Sequence, residues 1–599
     1  MRFGLLALVA VAAALVPSPS SPSAQRFDAV VIGSGIGGLS AGALLAKYGR
    51  KVLLVEAHEH LGGCAHSFSR GGYTLDSGPS LWAGCSAPST SPLRQVLDAV
   101  GAETEWVTYD GWGVHDLKSS ERFRMTVGPD AFADVCERFG GKESVAAWRA
   151  LLEGSEPVVD AAMACPPMAL RADPLGFART AFRPYLLPAI ARASLDAGAF
   201  VPDLLTGPSS GLLDLSSGGR TDFLDRWIDY LAFALSGLPA DGTVGAAVAY
   251  TLGDLHRPNA VLDYPIGGSG AVADALAATV SKRPGCEVRS RTAVDEILVE
   301  KGKAVGVRLA DGATVRADVV VSNADAWTTA TKLLRPSPSP KIAEWQRGQA
   351  ALVPTRSFVH LWVGFDASGL PDDLDCHHTV FNEGFLGPEA APLDAEENMY
   401  IISIPTLFDA GLAPPGRHLA HVYAAATEPY GKWATMDKAA YEAAKATAAE
   451  PLWRALEAVI PDVRARAAGD LEVVGTPLTH ARFNRRHRGT YGPAGKTSAG
   501  DLAGFGNGGT PVENLWNVGD SQFPGIGLPA AAASGILVAN ANVGVREHRR
   551  LLAELEAAGH LVAGSDWWRK PNPTARARGG RIAAGASLDE TGCSTSQGS

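Results

Sequence analysis

The chain has 599 residues, of which 46% are hydrophobic and 19% are charged. This composition excludes an intrinsically disordered protein, because disordered chains combine low hydrophobicity with high net charge. The formal net charge of −10 gives no positive surface for nucleic acid, and the 67 glycines follow no three-residue period, which excludes a collagen-like chain.

The first 24 residues have the pattern of a signal or targeting segment. Arg2 precedes an apolar run over residues 3–16, and a stretch rich in Pro and Ser follows. The run is shorter than the roughly 20 residues that span a bilayer, and its order of basic, apolar and small residues is typical of a signal peptide. An uncleaved anchor helix is the alternative. At the other end, the composition of residues 565–599 predicts a disordered tail.

Residues 27–56 predict the first half of a dinucleotide-binding fold. Residues 27–32 form a buried strand, and the glycines 33, 35 and 38 open a helix behind it. Gly33 permits the tight turn, Gly35 lets the backbone approach a pyrophosphate, and Gly38 permits close packing of helix on strand. The helix N-terminus directs N–H groups at the phosphates. A second strand, residues 51–56, ends in an acid, and the whole pattern indicates a bound dinucleotide.

The acid and the residues after it indicate which dinucleotide binds. Glu56 stands where a carboxylate accepts hydrogen bonds from a ribose diol. Gly62 and Gly63 follow within a few residues, and such a second glycine pair brings further backbone amides to the pyrophosphate in FAD enzymes. An NAD site does not need it, so the sequence favours FAD.

Two later segments are candidates for the rest of the FAD site. Near the C-terminus a strand ends in Gly519-Asp520, and Gly527 leads into an Ala-rich helix whose N-terminus we expect at the flavin ring. Asp520 is placed to meet a ribityl hydroxyl or the pyrophosphate region. Between the two ends of the chain, short strands at residues 286–321 predict a meander, with Val294 as a backbone contact to the adenine.

Taken together, the motifs resemble the carotenoid cis–trans isomerase and phytoene desaturase branch of the FAD-dependent amine-oxidase-like superfamily, above all its plastid carotenoid-isomerase-like members. The resemblance covers roughly residues 27–543. The motifs that carry it are Gly62-Gly63-Cys-Ala-His66, Leu75-Asp76-Ser-Gly-Pro, Tyr264-Pro-Ile-Gly-Gly-Ser-Gly, Gly475-Thr-Pro-Leu-Thr-His480, Arg488-Gly-Thr-Tyr491 and Gly519-Asp-Ser. One position departs from it: many relatives carry Arg just after the glycine pair, where this chain has Cys64, Ala65 and His66, as in members similar to retinol saturase.

The resemblance implies a doubly wound α/β fold, in which a Rossmann-type two-dinucleotide-binding FAD domain holds an inserted mixed α+β substrate domain. We expect FAD-binding segments at residues 27–152, 263–330 and 481–545, a helical substrate or membrane-docking region at 153–262, and the substrate domain at 331–480. The apolar runs 360–365 and 399–404 are predicted as tunnel walls or sheet strands. Residues 227–235 are predicted as an apolar helix.

Three polar side chains are candidates for catalysis. Asp76 follows a strand-like run soon after the glycine pair and is predicted to point toward the flavin, and His66 is predicted to meet phosphate or the ring edge. His480, with Arg482 and Tyr491, forms the next polar group. Each of these side chains has an alternative role as a structural hydrogen-bonding group. The pattern of Cys, His and Asp predicts no metal site.

The resemblance implies an FAD-dependent enzyme that isomerises carotenoid double bonds in carotenoid biosynthesis. The alternatives are a desaturase or saturase, a flavin-assisted hydration, and a non-catalytic flavoprotein that carries carotenoid. Leu- and aromatic-rich helices with interleaved arginines over residues 177–192 predict peripheral contact with a membrane. A plastid is the expected location, reached through the signal peptide, with the ER or secretory pathway as the alternative.

Overall fold

The computed structural model describes residues 25–78, 80–197, 200–258, 260–387, 389–494 and 507–564. The predicted signal segment and the predicted tail lie outside these residues. The strands are β1 (Gln25–Ile32), β2 (Val52–Val55), β3 (Ser67–Arg70), β4 (Tyr73–Asp76), β5 (Trp82–Ala83), β6 (Trp106–Tyr109), β7 (Gly111–Asp116), β8 (Glu121–Thr126), β9 (Leu262–Pro265), β10 (Glu287–Arg289), β11 (Val294–Glu300), β12 (Lys303–Leu309), β13 (Thr314–Ser322), β14 (His360–Asp366), β15 (His377–Phe381), β16 (Met399–Ser403), β17 (Arg417–Ala424), β18 (Glu472–Gly475) and β19 (Leu515–Asn517).

Helices occupy much of the remaining chain. They are α1 (Ile36–Lys47), α2 (Pro92–Val100), α3 (Ala133–Met163), α4 (Pro174–Phe177), α5 (Leu187–Asp196), α6 (Val201–Thr206), α7 (Asp222–Ser236), α8 (Gly245–His256), α9 (Ser269–Ser281), α10 (Ala326–Thr328), α11 (Pro340–Ala350), α12 (Gly431–Ala434), α13 (Lys438–Val459), α14 (Val463–Arg466), α15 (Pro477–Phe483), α16 (Leu528–Ala541) and α17 (Val545–Ala557). A π-helix, Ala178–Leu186, joins α4 to α5.

The first sheet assembles three separated parts of the chain. Its strand order is β10-β2-β1-β13-β12-β11, and β19 also pairs with β13. The pairs β10–β2, β2–β1, β1–β13 and β13–β19 are parallel, and β11, β12 and β13 form an antiparallel meander. Of the strands predicted at residues 286–321, the first, β10, instead lies at the opposite edge of the sheet, beside β2. Val31 and Val321 are fully buried, as expected of parallel strands that are covered on both faces.

The parallel register of β1 and β13 positions the first glycine turn. Ile32 pairs with Ser322 in this register, so both strands end at the same level. Gly33 and Asn323 therefore leave the sheet side by side, at the carboxyl edge where ligands bind in open α/β sheets.

The second sheet has the order β18-β14-β17-β16-β15-β7-β8. The runs predicted at residues 360–365 and 399–404 are strands β14 and β16 of this sheet. One face is aliphatic and packs on α13, as Leu361 and Val422 do against Leu452. His360 pairs with Tyr423, and Trp362 pairs with His421, on the opposite face.

We expected an FAD-binding segment to end at residue 152 and a helical region to begin at residue 153. The structure has no boundary at this place. Strands β7 and β8 belong to the second sheet, because β7 pairs in parallel with β15. Helix α3 continues across residue 152. A pairing between strands more than 200 residues apart leaves no local mark in the sequence, and for this reason the boundary was misplaced.

Helices α3 to α8 form a separate layer. Helix α7 contains the helix predicted at residues 227–235, and its Trp227 and Ile228 are fully buried. The π-helix and α5 lie at the outside of this layer and expose apolar side chains, among them Leu187 and Leu195. Within the described residues, every helix is too short or too polar to cross a bilayer.

Candidate cofactor and active site

The first glycine turn, residues 33–38, joins β1 to α1. We call it the cradle, because Gly33, Gly35 and Gly38 leave its backbone uncovered by side chains. Gly33 has a φ of +91°, in the left-handed region that favours glycine. A Cβ atom on Gly35 would collide with the side-chain amide of Asn323. A Cβ atom on Gly38 would collide with the carbonyl oxygen of Gly33. The turn therefore has no room for a side chain at Gly35 or Gly38, and it leads into the N-terminus of α1, whose backbone N–H groups suit a pyrophosphate.

Glu56 and the second glycine pair are tied to this cradle through Ser34. The Ser34 amide and hydroxyl each donate to Glu56 Oε2 at 2.8 Å, and the Gly62 amide donates to the Ser34 carbonyl at 3.1 Å. The Cβ position of Gly63 lies 3.0 Å from the Cα of Gly35. The acid and both glycine motifs therefore meet at one place, although each comes from a different loop.

The C-terminal motif completes the cradle from the far end of the chain. Gly519, with a φ of +99°, follows β19, and its amide donates to Ser534 Oγ at 2.7 Å. A Cβ atom on Gly37 would lie 2.7 Å from the Gly519 nitrogen. Gly527 precedes the first turn of α16 and has a φ of +107°. The two ends of the chain thus form one site.

These residues fit FAD. The glycine cradle suits a pyrophosphate, and Glu56 suits a ribose diol. Val294 begins β11 close to the acid, since the Thr292 amide donates to the Glu56 carbonyl at 2.7 Å. A chain folded in this way would hold the adenine end of FAD at Glu56 and its flavin end at Gly519. The predicted role of Val294 remains a prediction.

Asp520 forms a buried ion pair. Its carboxylate binds the guanidinium of Arg486, which also donates to the Thr490 carbonyl and lies 5.3 Å from the Tyr491 ring centroid. Burial lowers the pKa of Arg486, but Asp520 and the further neighbours Cys64, Asp325 and Tyr491 together outweigh burial and raise this pKa. Arg486 was not predicted from the sequence, because its motif offered several arginines and nothing to distinguish them.

Asp76 has a different environment from the one predicted. Its Oδ1 accepts from Ser67 Oγ at 2.6 Å and from the Ser269 amide at 2.8 Å, and its Oδ2 accepts from Tyr264 Oη at 2.9 Å. The carboxylate thus caps the start of α9. Burial raises the pKa of Asp76 against the opposing effect of these hydrogen bonds. This geometry supports the structural alternative, in which Asp76 holds β4 to α9.

His66 is buried and neutral beside the second glycine pair. Its Nδ1 lies 2.6 Å from the Gly63 carbonyl and 3.0 Å from Ser77 Oγ. Burial lowers the pKa of His66 to about 4. The ring is stacked on His60 at a centroid distance of 5.6 Å. His66 therefore shapes the glycine-pair loop, and its predicted contact with the cofactor stays a prediction.

His480 lies in a polar group that borders the glycine pair. Asn484 Nδ2 lies 3.3 Å from His480 Nδ1 and 3.7 Å from Cys64 Sγ. The Tyr491 ring is 5.6 Å from the His480 ring. Burial raises the pKa of the Cys64 thiol, which stays protonated. Arg482, predicted as part of this group, instead lies over the Phe483 ring at 5.2 Å.

The structure also reveals site residues that sequence reasoning missed. His480 Nε2 lies 2.7 Å from His360 Nε2, and His360 Nδ1 lies 2.9 Å from His421 Nε2. The available signal was the presence of His360 in β14 and of His421 in β17, two largely apolar strands. No group of His, Cys, Asp and Glu in the described part of the chain is arranged to hold a metal ion.

The comparison with known proteins extends over most of the chain. The family model described as flavin containing amine oxidoreductase matches residues 36–541. Prolycopene isomerase, chloroplastic, from Arabidopsis thaliana is 33% identical over 543 residues, which cover 88% of this chain and 84% of that protein. Phytoene desaturase (neurosporene-forming) from Cereibacter sphaeroides is 27% identical over 572 residues, covering 91% of this chain and 99% of that protein.

A solved structure has the same fold. The oxidoreductase from Methanosarcina mazei has a TM-score of 0.54 at 18% identity, covering 86% of this chain and 99% of that one. At this identity the likeness concerns the fold alone. It confirms the predicted α/β architecture.

Proposed function

This chain belongs to the flavin-containing amine oxidoreductase family and is an FAD-dependent enzyme of that family, and from this premise we propose that it isomerises cis and trans double bonds of a carotenoid. The predicted resemblance to the carotenoid isomerase and desaturase branch is confirmed by the relatives. The observation that carries the proposal is the match of 88% of the chain to a relative named as a prolycopene isomerase.

The surroundings of the glycine pair support an apolar, conjugated substrate. The Phe358 ring lies 4.3 Å from the Tyr491 ring, 6.4 Å from the His480 ring and 6.2 Å from the ring of Tyr423, which belongs to β17 of the second sheet. Aromatic faces pack well against a flat apolar polyene. FAD supplies the electron-transfer chemistry when bound. The residues of this chain bind the cofactor, exclude water and hold the polyene beside it.

The test is to incubate the purified holoprotein with cis and all-trans carotenoids, under oxidising and reducing conditions, and to measure product mass and geometry. An isomerised product of unchanged mass supports the proposal. Protein stripped of FAD is the control and should give no product. A product that has gained water contradicts isomerisation and favours hydration. The absence of a product from every polyene in the panel contradicts isomerisation and favours a carrier.

Desaturation or saturation is the second candidate. The observation that favours it is the match to phytoene desaturase over 99% of that protein's length. The same incubation distinguishes it, because a redox product differs from its substrate by two hydrogens. An isomer without a mass change in every condition would exclude this candidate.

We also propose that a docking segment, residues 174–196, lies on a lipid surface. Four of the ten large apolar side chains exposed in the described part of the chain lie in this segment, and a fifth, Phe200, follows it. Leu175 is 74% exposed and Leu195 is 83% exposed. The segment contains three arginines and one aspartate, which suits an anionic bilayer. An insoluble polyene could then reach the site from the membrane.

Flotation with liposomes tests this surface. The holoprotein should float with anionic vesicles, and less with neutral ones, while the double variant Leu175→Ser and Leu195→Ser should not float. Val353→Ser is the matched control, since Val353 is also 67% exposed but lies outside the segment. Unchanged flotation of the double variant would contradict membrane docking.

Plastid location is part of the proposal. It is supported by the relative whose name includes the word chloroplastic and by the pattern of residues 1–24. A fluorescent protein fused to the full chain should appear in plastids of an algal host. Fluorescence in the ER or in the medium would contradict this and support the secretory alternative.

A further inference from the structure

Three buried histidines form a continuous row between α15 and the second sheet. His480 lies in α15, whereas His360 of β14 and His421 of β17 lie on the sheet face opposite α13, which we call the inner face. His480 Nε2 lies 2.7 Å from His360 Nε2, and His360 Nδ1 lies 2.9 Å from His421 Nε2. Both distances are those of hydrogen bonds between imidazole nitrogens. The row of three rings therefore ends at Nδ1 of His480 on one side and at Nδ1 of His421 on the other.

The three rings are neutral. They are between 1% and 4% exposed. Burial lowers the pKa of His421 and of His480 to about 3 and that of His360 well below its ordinary value, and neighbouring positive charge acts in the same direction. A neutral imidazole has one N–H donor and one acceptor nitrogen, so each ring can pass a proton to the next ring in the row.

The two ends have different surroundings. Nδ1 of His480 meets the amide of Asn484, which also reaches Cys64 beside the second glycine pair. Nδ1 of His421 is buried and has no hydrogen-bond partner in the described structure. A buried nitrogen without a partner costs about 1–3 kcal/mol, which is unusual unless a ligand or a function compensates.

The sheet holds these rings in alignment. Trp362 is stacked on His360 at 5.2 Å and on His421 at 4.7 Å, with interplanar angles of 12° and 9°. Its Nε1 donates to the Asp76 carbonyl at 2.8 Å. The other face of the same strands is aliphatic, as at Leu361 and Val422. Apolar side chains would have sufficed for packing on the inner face as well.

We propose that His480, His360 and His421 form a proton relay between the cofactor side of the site and the inner face of the second sheet. The inference deepens the proposed function and rests on it, because the proton serves a carbon of the polyene. The three histidines serve the transient protonation of that carbon.

The transfer balances in protons and electrons. A proton from water binds Nδ1 of His480 and leaves hydroxide, the Nε2 proton of His480 moves to His360 Nε2, the Nδ1 proton of His360 moves to His421 Nε2, and His421 gives its Nδ1 proton to a carbon of the polyene double bond. Three N–H bonds form and three break, and the O–H bond that breaks is matched by the C–H bond that forms from the π electrons. The former double bond rotates in the resulting cation, and one of the two hydrogens then on that carbon leaves by the reverse path to the hydroxide. No electrons are gained or lost.

The first test follows the tautomers by NMR of protein labelled with ¹⁵N-histidine. If the three histidines form a relay, the substitution His421→Phe should change the tautomer populations of His480, which is two rings away. His378→Phe is the matched control, since His378 forms a separate buried pair with His115 at 3.2 Å. An unchanged His480 spectrum in a folded, flavin-loaded His421→Phe protein would overturn the relay.

The second test uses deuterated water. The wild-type holoprotein should incorporate deuterium into the isomerised polyene, and His360→Gln should lower kcat by about 10²-fold, the usual contribution of a positioned proton donor, at unchanged flavin content. His378→Gln should stay within about twofold of wild type. Isomerisation without deuterium in the product would overturn the relay and leave the proposed function standing. If no polyene is isomerised, the proposed function fails, and the NMR test alone decides on the relay.

Discussion

Single side chains hold the cofactor site together through paired contacts. Glu56 is the main example, because its Oε2 accepts two hydrogen bonds from Ser34 and its Oε1 accepts one from the His58 amide at 2.8 Å. The carboxylate thus stiffens the first glycine turn, in addition to its predicted contact with the ribose. Removing it affects both the shape of the cradle and the contact with the ligand.

Replacement of Glu56 by alanine should weaken FAD retention. Hydrogen bonds to a charged group contribute about 1.5–3 kcal/mol each, so we expect the dissociation constant to rise by about 10- to 100-fold. Flavin absorbance per protein after gel filtration measures the effect. Glu59→Ala is the control, since the Glu59 side chain is 48% exposed and pairs with Arg291. Wild-type flavin content in Glu56→Ala would contradict the ribose role.

Acid should destabilise the protein through its buried histidines. Because burial lowers the pKa of His421 and of His480 to about 3, these rings bind protons in the unfolded chain, with a pKa near 6.5, before the folded one does. The stability that they contribute is present above about pH 6.5 and is lost as pH falls toward 3. Each ring should remove about 2 kcal/mol from the free energy of unfolding between pH 7 and pH 5.

Urea unfolding followed by tryptophan fluorescence at the two pH values measures this loss. In His421→Gln the difference between pH 7 and pH 5 should shrink by about 2 kcal/mol. His60→Gln is the control, because the His60 side chain is 37% exposed. An equal pH dependence in wild type and in His421→Gln would show that the ring does not titrate as expected.

At the scale of elements, the site depends on close packing of α1 against α16. Helix α1 is buried from Ile36 to Ala46, between the first sheet and its neighbouring helices. A Cβ atom on Gly535 of α16 would lie 2.6 Å from the Gly37 carbonyl and 2.9 Å from the Ala41 nitrogen. The N-terminus of α1, which is predicted to face the pyrophosphate, is therefore positioned by a helix from the far end of the chain.

Replacement of Gly535 by alanine should push the two helices apart. We expect a loss of about 1–3 kcal/mol in the free energy of unfolding, as for other overpacked interiors, together with weaker FAD binding. Gly348→Ala in α11 is the control, since no atom lies within 4 Å of its Cβ position, and it should stabilise by about 0.5–1 kcal/mol. Equal stability and flavin content in both variants would contradict this account of the packing.

At the scale of the whole molecule, we expect FAD to bind where the two ends of the chain meet. Gly35 follows β1 and Gly519 follows β19, and both strands pair with β13. A ligand that binds only this folded arrangement stabilises it by mass action.

Added FAD should therefore raise the unfolding temperature of flavin-stripped protein. The gain should reach about 4 kcal/mol at a free FAD concentration 1,000 times the dissociation constant. Riboflavin, which lacks the pyrophosphate and the second ribose, is the control and should give little of this gain. A melting temperature that does not depend on FAD would contradict the site.

The sequence by itself determined the cofactor, the family and the strand–turn–helix unit around Gly33, because these depend on neighbours a few residues apart. It also located the strands at residues 286–321 and helix α7, whose patterns are local. Asp76 shows the limit: the pattern placed it after a strand, but the direction of its carboxylate depends on α9, which begins 193 residues later.

Only the tertiary structure decided the rest of the site. His360 is separated by 61 residues from His421 and by 120 residues from His480, and the three meet because β14 pairs with β17 and because α15 packs beside them. Arg486 became the partner of Asp520 in the same way. Strand pairing and burial act between residues that are distant along the chain, so a single sequence carries no sign of them until the chain is folded.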